Sequence, residues 1–295
     1  SSSLSLPSTT LAIQKNTSFA SRNLSSSSTM PVIQKKLFLL RHGQAVHNPR
    51  AEKAKDEGCS HDTFIQIMKE DDALDAPLTA LGQQQAIDNR IRHGHKLGNI
   101  ELVVSSPLSR ALCTADLTIC PEKGLTIDGK HDGDNVIVKP PRIVIEDLRE
   151  INGYLLNAKR RSKDELSAEF HDSWDFTSLT SNHDDLWTDE LESQKSCAER
   201  CYKGLIHLMT ERQEQEMLMV AHGGLFRFVM MLHPHVIVVD DREEFQKRFG
   251  NCELRQYDVE YYTNVNDIAD WKHLQTLLVE SNDGDTVEIS EERPL

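Results

Sequence analysis

No apolar run in this chain approaches the roughly 20 residues that a membrane-spanning helix requires. The longest candidates are short, such as Met217 to Val220 and Phe228 to Leu232, and a membrane partner is not expected. Positive charge is also in deficit. There are 33 Lys and Arg against 47 Asp and Glu, a formal net charge of -14, which would repel a nucleic acid backbone unless a local basic patch overrode it. Nucleic acid is therefore not an expected partner, although a few arginines inside a cleft would still suffice to hold a small anion. The six cysteines, Cys59, Cys113, Cys120, Cys197, Cys201 and Cys252, form no CxxC pair, so neither a zinc site nor a dithiol redox centre is indicated. They are read as buried free thiols suited to a reducing compartment, with Cys197 and Cys201 on one helix face. The 13 histidines include no HExxH and no HxH-with-carboxylate cluster, and no metal is expected.

Acidic residues are missing altogether from residues 1 to about 30, a Ser- and Thr-rich stretch whose only charges are Lys15 and Arg22. That composition is transit-peptide-like. Residues 1–30 are read as a disordered leader or a transit peptide. The compartment follows: plastid or mitochondrion if the leader is genuine, cytoplasm if translation starts at Met30. Residues 31–279 are read as one folded domain, and 280–295, acidic with little to bury, as a disordered tail.

Between these ends short apolar runs alternate with longer amphipathic stretches. The pattern predicts an α/β three-layer sandwich with a mainly parallel central sheet flanked by helices. Lys36 to Leu40, Leu102 to Ser105 and Met217 to Val220 read as buried strands, each followed by polar residues and then a helix. Helices are expected from Thr79, which offers an N-cap hydroxyl, from about Pro107, from about Glu190 to Gln215, and from Gly224. A cap insertion is expected over about 155–215.

In open parallel sheets ligands bind beyond the carboxyl ends of the strands, where helix N-termini point free N–H groups. The residues after the three strands are Arg41-His42-Gly43, Ser106 to Arg110, and His222-Gly223-Gly224. Taken singly, a histidine at a strand end is an ordinary polar cap and an arginine in a first helical turn is ordinarily solvated. Two histidines and two arginines at equivalent topological positions suit a dianion, and they meet the needs of phosphoryl transfer, in which equatorial oxygens must be held while attacking and leaving atoms align. Arg41 and Arg110 can bind oxygens bidentately, His222 can add a bond, and His42 is left to attack. A neutral imidazole is a competent nucleophile once a hydrogen bond to its other nitrogen fixes the tautomer.

The run Leu40-Arg41-His42-Gly43-Gln44, with Asn48 soon after, resembles the RHG signature of the histidine phosphatase (phosphoglycerate mutase-like) superfamily. The triplet recurs as Arg92-His93-Gly94, but no strand precedes that copy, which is read as solvated. Further along, Asp75 to Gly82 resembles the family's PLTxLG element, Ser105 to Ala111 its SSPxxRA element, and Val220 to Gly224 its VxHGG element. The similarity spans roughly residues 35 to 260. Phe249 to Arg255 is similar to the plant and fungal phosphoglycerate mutase-like proteins.

The resemblance implies His42 as nucleophile; Arg41, Gly43, Arg110, His222 and Gly223 around the phosphate; Asn48 as a further phosphate contact; and no cofactor. It also implies Glu150 as the acid, because Glu146 to Gly153 resembles the LxExxxG segment; Glu146 and Asp147 are the competing choices. A single carboxyl can protonate the leaving oxygen and later deprotonate water. The expected activity is hydrolysis of a phosphomonoester, with a small phosphorylated metabolite as substrate and a phosphoprotein as the alternative. Mutase-type transfer is the rival within catalysis; Gln44 to Asn48 and Ile151 to Tyr154 depart from the mutase pattern. A catalytically inactive scaffold is the rival outside it. Arg160 and Arg161, with Lys159, are read as candidates to meet a second anionic group of the substrate, against the plain alternative of a solvated charge run.

Overall fold

The computed structural model describes residues 10–14, 32–71, 73–119, 140–170, 174–232, 236–238 and 248–262. The acidic tail 280–295 and leader residues 1–9 and 15–30 lie outside them. The strands are β1 (Thr10–Gln14), β2 (Val32–Arg41), β3 (Leu102–Ser105), β4 (Arg142–Val144), β5 (Glu216–Ala221), β6 (Val236–Val238) and β7 (Leu254–Tyr262). They form one sheet in the order β4-β3-β5-β2-β7-β1-β6. Only β7 runs against the rest, so the mainly parallel α/β expectation holds.

The pleat turns each apolar strand to both faces. Leu37 and Leu39 of β2 join Met217 and Met219 of β5 in one core, while Phe38 and Leu40 join Leu218 and Val220 in the other. Helices α6 (Gln194–Glu211) and α7 (Gly223–Leu232) cover the first core. Helices α3 (Ala80–Leu97), α4 (Ser109–Ile119) and α5 (Lys163–Phe170) cover the second. Two further helices, α1 (Asn48–Asp56) and α2 (His61–Lys69), follow the carboxyl end of β2. Thr79 caps α3 as expected, its hydroxyl accepting from the Gly82 N–H at 3.0 Å. No helix of the described residues is long and apolar enough to cross a membrane.

Two boundaries differ from the sequence reading. Residues 1–30 were read as a disordered leader or a transit peptide, and within them Thr10–Gln14 is the strand that covers the second edge of β7, an edge that would otherwise expose unpaired backbone. The expected cap over 155–215 ends sooner. Cys197, Cys201, Leu205, Leu208 and Met209 form an apolar stripe that seats α6 on the sheet, so α6 belongs to the domain core. The segment before it is clamped from within: Arg149 is fully buried and makes a two-bond pair with buried Asp184, at 2.5 and 2.7 Å.

Register decides where the site forms. Leu40 is opposite Val220 and Arg41 opposite Ala221, and Ser105 is also opposite Val220. The carboxyl ends of β2, β5 and β3 are therefore level, and His42, His222 and Ser106 leave the sheet side by side.

Candidate active site

His42 is 2% exposed and held at both ends. Its backbone N–H donates to Ala221 O at 3.0 Å. Its Nδ1 lies 2.7 Å from the Gly43 carbonyl, and since a carbonyl only accepts, the ring proton is on Nδ1 and the lone pair on Nε2. Burial, with the charges of Arg110 and Arg41, pushes its pKa well below the usual histidine value. The ring is thus neutral with one committed tautomer.

Packing by itself demands glycine at position 43. A Cβ there would lie 2.4 Å from the Gly82 carbonyl oxygen, and one on Gly82 would lie 2.1 Å from Gln44 O. The two backbones cross where the loop after β2 meets the first turn of α3, and neither residue has room for a side chain.

Arg110 is buried at 1% exposure, its Nε 3.3 Å from His42 Nε2 and its NH1 donating to Asn157 O at 2.6 Å. Burial lowers its pKa to about 10, opposed by Asp75 and Glu150, so it is charged at neutral pH. Arg41 donates to Phe249 O at 2.8 Å and to Glu52 at 2.7 Å. Its Nε is buried and meets no acceptor. Gly223 makes room for it, since a Cβ there would stand 3.0 Å from Arg41 Cδ. His222 is fully buried, its ring centroid 5.1 Å from that of His42. Its Nε2 is 2.8 Å from Ser106 Oγ, which can donate to it and leave the ring proton on Nδ1. That Nδ1 too is buried without a partner. Burial, then Arg110, depresses the His222 pKa.

His47 is a residue that the sequence reading passed over. Asn48 Oδ1 accepts from the Ala45 N–H at 2.8 Å, which turns its Nδ2 toward His47 Nε2 at 3.0 Å. His47 Nε2 is therefore the acceptor and Nδ1 carries the proton. Nδ1 is buried, without a partner, in a ring 6.3 Å from that of His42. Among the described residues, three buried nitrogens, on Arg41, His222 and His47, thus lack hydrogen-bond partners. Each such group costs on the order of 1–3 kcal/mol without an acceptor. Asn48 also keeps an amide hydrogen beyond the one given to His47.

Of the three candidate acids only Glu150 lines the cavity over His42. Its Oε1 accepts from the Ile151 N–H at 3.0 Å. Arg200 holds the preceding carbonyls of Asp147 and Arg149 at 2.8 and 3.1 Å. A Cβ on Gly224 would lie 2.6 Å from Glu150 Oε1, so α7 leaves that carboxylate its place. Glu146 is paired with Arg149 and Arg160, and Asp147 lies against Gly204 of α6.

The cavity holds about 430 Å³ and runs from His42 between α1, α2 and residues 150–157. Arg160 and Arg161 do not line it, and neither do Gly43, Arg110 and His222; the expectation that Arg160 and Arg161 meet a substrate anion gives way because their guanidinium groups are already committed. Arg160 is 3% exposed, paired with Glu146 and donating to the carbonyls of Arg161, Ser181, Asn182 and His183. Arg161 bonds Asp75, Glu169 and Ser109 at 3.1, 2.7 and 2.6 Å. Both are fastened to carboxylates and carbonyls remote in sequence, which a local charge run does not disclose. Arg92-His93-Gly94 lies within α3, away from the cavity. Among the described residues no three His, Cys, Asp or Glu side chains gather as a metal cage would need.

Residues 37–271 match the profile of the histidine phosphatase superfamily (branch 1). Phosphoglycerate mutase-like protein 1 of Arabidopsis thaliana is 32% identical over 238 residues, covering 75% of this chain and 79% of that protein. Phosphoglycerate mutase-like protein 2 of the same plant is 29% identical over 263 residues, covering 76% and 73%. Among solved structures, a mycobacterial glucosyl-3-phosphoglycerate phosphatase is 19% identical, covers 75% of this chain and 89% of its own, and superposes with a TM-score of 0.41.

Proposed function

The chain belongs to the histidine phosphatase superfamily, and from that premise we propose that it hydrolyses a phosphomonoester of a small metabolite through a phosphohistidine on His42. The observation that carries this reading is the bonded state of the His42 ring: Nδ1 is tied to Gly43 O, and the lone pair of Nε2 is turned toward Arg110.

In the first step Nε2 attacks phosphorus, the N–P bond forms and the P–O ester bond breaks. Positive charge spreads into the ring, and the Nδ1–H bond to the Gly43 carbonyl offsets it. The leaving alkoxide takes a proton from Glu150. Arg41, Arg110, His222 and His47 donate to the phosphoryl oxygens, stabilisation that grows as charge concentrates there. In the second step water gives a proton to Glu150, its oxygen bonds to phosphorus and the N–P bond breaks, releasing phosphate and restoring neutral His42.

Rapid quenching during turnover of a ³²P-labelled alkyl phosphate tests this. Label held by the protein, stable to base and lost in acid, is the expected result. Transfer of label to a second alcohol without release of phosphate would indicate a mutase, and no bound or released label with any phosphoester would indicate a binding protein.

A further inference from the structure

A second group of cations lines the same cavity. Lys55 of α1, Arg227 of α7 and Arg248 all face it. Two carboxylates act on Arg248, Glu52 and Glu150, and Glu52 is already shared: its Oε1 accepts from Arg41 at 2.7 Å and stands 4.0 Å from Arg248 NH2. Among the described residues no carboxylate pairs with Lys55 or Arg227, and Arg227 Nε is buried without an acceptor. The three cations repel one another; burial and then Arg248 and Arg227 lower the Lys55 pKa.

Phe64 of α2 sits in this group, its ring centroid 5.4 Å from Lys55 Nζ and 5.9 Å from Arg248 Cζ. Ile65 and Met68 continue the apolar side of the cavity wall. Crowding like charges in a concavity carries a cost, and a solvated face does not bury a guanidinium nitrogen. A volume of about 430 Å³ also exceeds what a phosphoryl group alone would fill.

We propose that Lys55, Arg227 and Arg248 form a second anion site, so that the preferred substrate is a phosphomonoester with a further carboxylate or phosphate on its leaving group. This rests on the reading of His42 as the phosphoryl site. The Glu52 bridge sets the two anion sites next to one another, with Arg41 on one side of the shared carboxylate and Arg248 on the other.

Binding of non-hydrolysable phosphonates separates this proposal from the question of turnover. Calorimetric dissociation constants would be measured for propylphosphonate, 3-carboxypropylphosphonate and propane-1,3-bisphosphonate, with p-nitrophenyl phosphate hydrolysis followed separately. The doubly anionic ligands are expected to bind roughly tenfold tighter than propylphosphonate, as one charge-assisted bond would give. The order of the two shows whether carboxylate or phosphate is preferred. Lys55→Gln and Arg248→Gln should each remove most of that advantage and Arg248→Lys should keep it. The ratio within one protein is insensitive to the folded fraction. Equal constants for all three ligands in the unaltered protein, or an advantage that survives both Gln variants, would overturn the second site. Failure to hydrolyse p-nitrophenyl phosphate would count against the proposed function alone.

Discussion

Arg110 Nε–H donates to Nε2 of His42 at 3.3 Å, so the lone pair of the unprotonated ring nitrogen faces a cation. Burial and then this fixed cation lower the pKa of the imidazole, and on the proposed reading the cation stands where an arriving phosphoryl oxygen would be received. NH1 is anchored to Asn157 O, so the guanidinium is oriented before substrate binds.

Replacing His42 by Ala should abolish turnover and with it the acid-labile label, whereas His93→Ala should leave activity within about a few fold. His93 sits in α3 and has no strand end to present it. Steady-state rates and quench labelling of the two variants check this, and label persisting in the His42 variant would move the nucleophile elsewhere.

Glu150→Gln should slow alkyl phosphate hydrolysis by roughly 10²-fold and spare p-nitrophenyl phosphate, whose leaving group departs without a proton. Kinetics on the two esters compare directly. Equal losses would make Glu150 a binding group.

Stability of the ligand-free protein should fall below about pH 6.5. His42, His47 and His222 have folded pKa values well below that, chiefly from burial and then Arg110. The unfolded chain takes up their protons first, so stability is full above 6.5 and declines as pH drops, by up to about 1.4 kcal/mol per pH unit for each histidine. Urea midpoints at pH 7.5 and 5.5 measure the decline, and His47→Gln should make it shallower. An unchanged decline in that variant would remove His47 from the account.

Gly82→Ala should cost about 1–3 kcal/mol and depress activity together, because its Cβ would meet Gln44 O at 2.1 Å. Thermal unfolding and turnover report the two effects. A variant of ordinary stability and activity would mean that the crossing of the two backbones relaxes freely.

Arg160→Ala should lower stability by about 3–5 kcal/mol through loss of a buried charge and its carbonyl partners. The ratio of affinities for singly and doubly anionic phosphonates should not move. A shift in that ratio would return Arg160 to the substrate.

Strands β2, β3 and β5, their level ends and the four ionisable groups beyond them were legible because apolar runs and the residues that follow are local. The same local context separated Arg41-His42-Gly43 from its copy in α3. Arg160 misled because its partners, the carbonyls of residues 181–183, are set by the path of a loop and leave no trace at residue 160. Lys55, His47 and Arg227 escaped notice for the converse reason. A lysine and a histidine around a short polar helix and an arginine inside an apolar one look ordinary until α1 and α7 face a common cavity. Thr10–Gln14 was hidden by the Ser- and Thr-rich composition on both sides of it, although its pairing needs only a free edge on β7.

The strand that presents His42 lies between two neighbours made much later. Leu40 is opposite Val220 on one side and Leu254 on the other. During synthesis, therefore, Leu37 to Leu40 leave the ribosome long before either partner does, and the most apolar stretch of the site spends that interval with both edges open. Nascent chains arrested before residue 216 should depend on holdase chaperones and show no trace of phosphoryl chemistry.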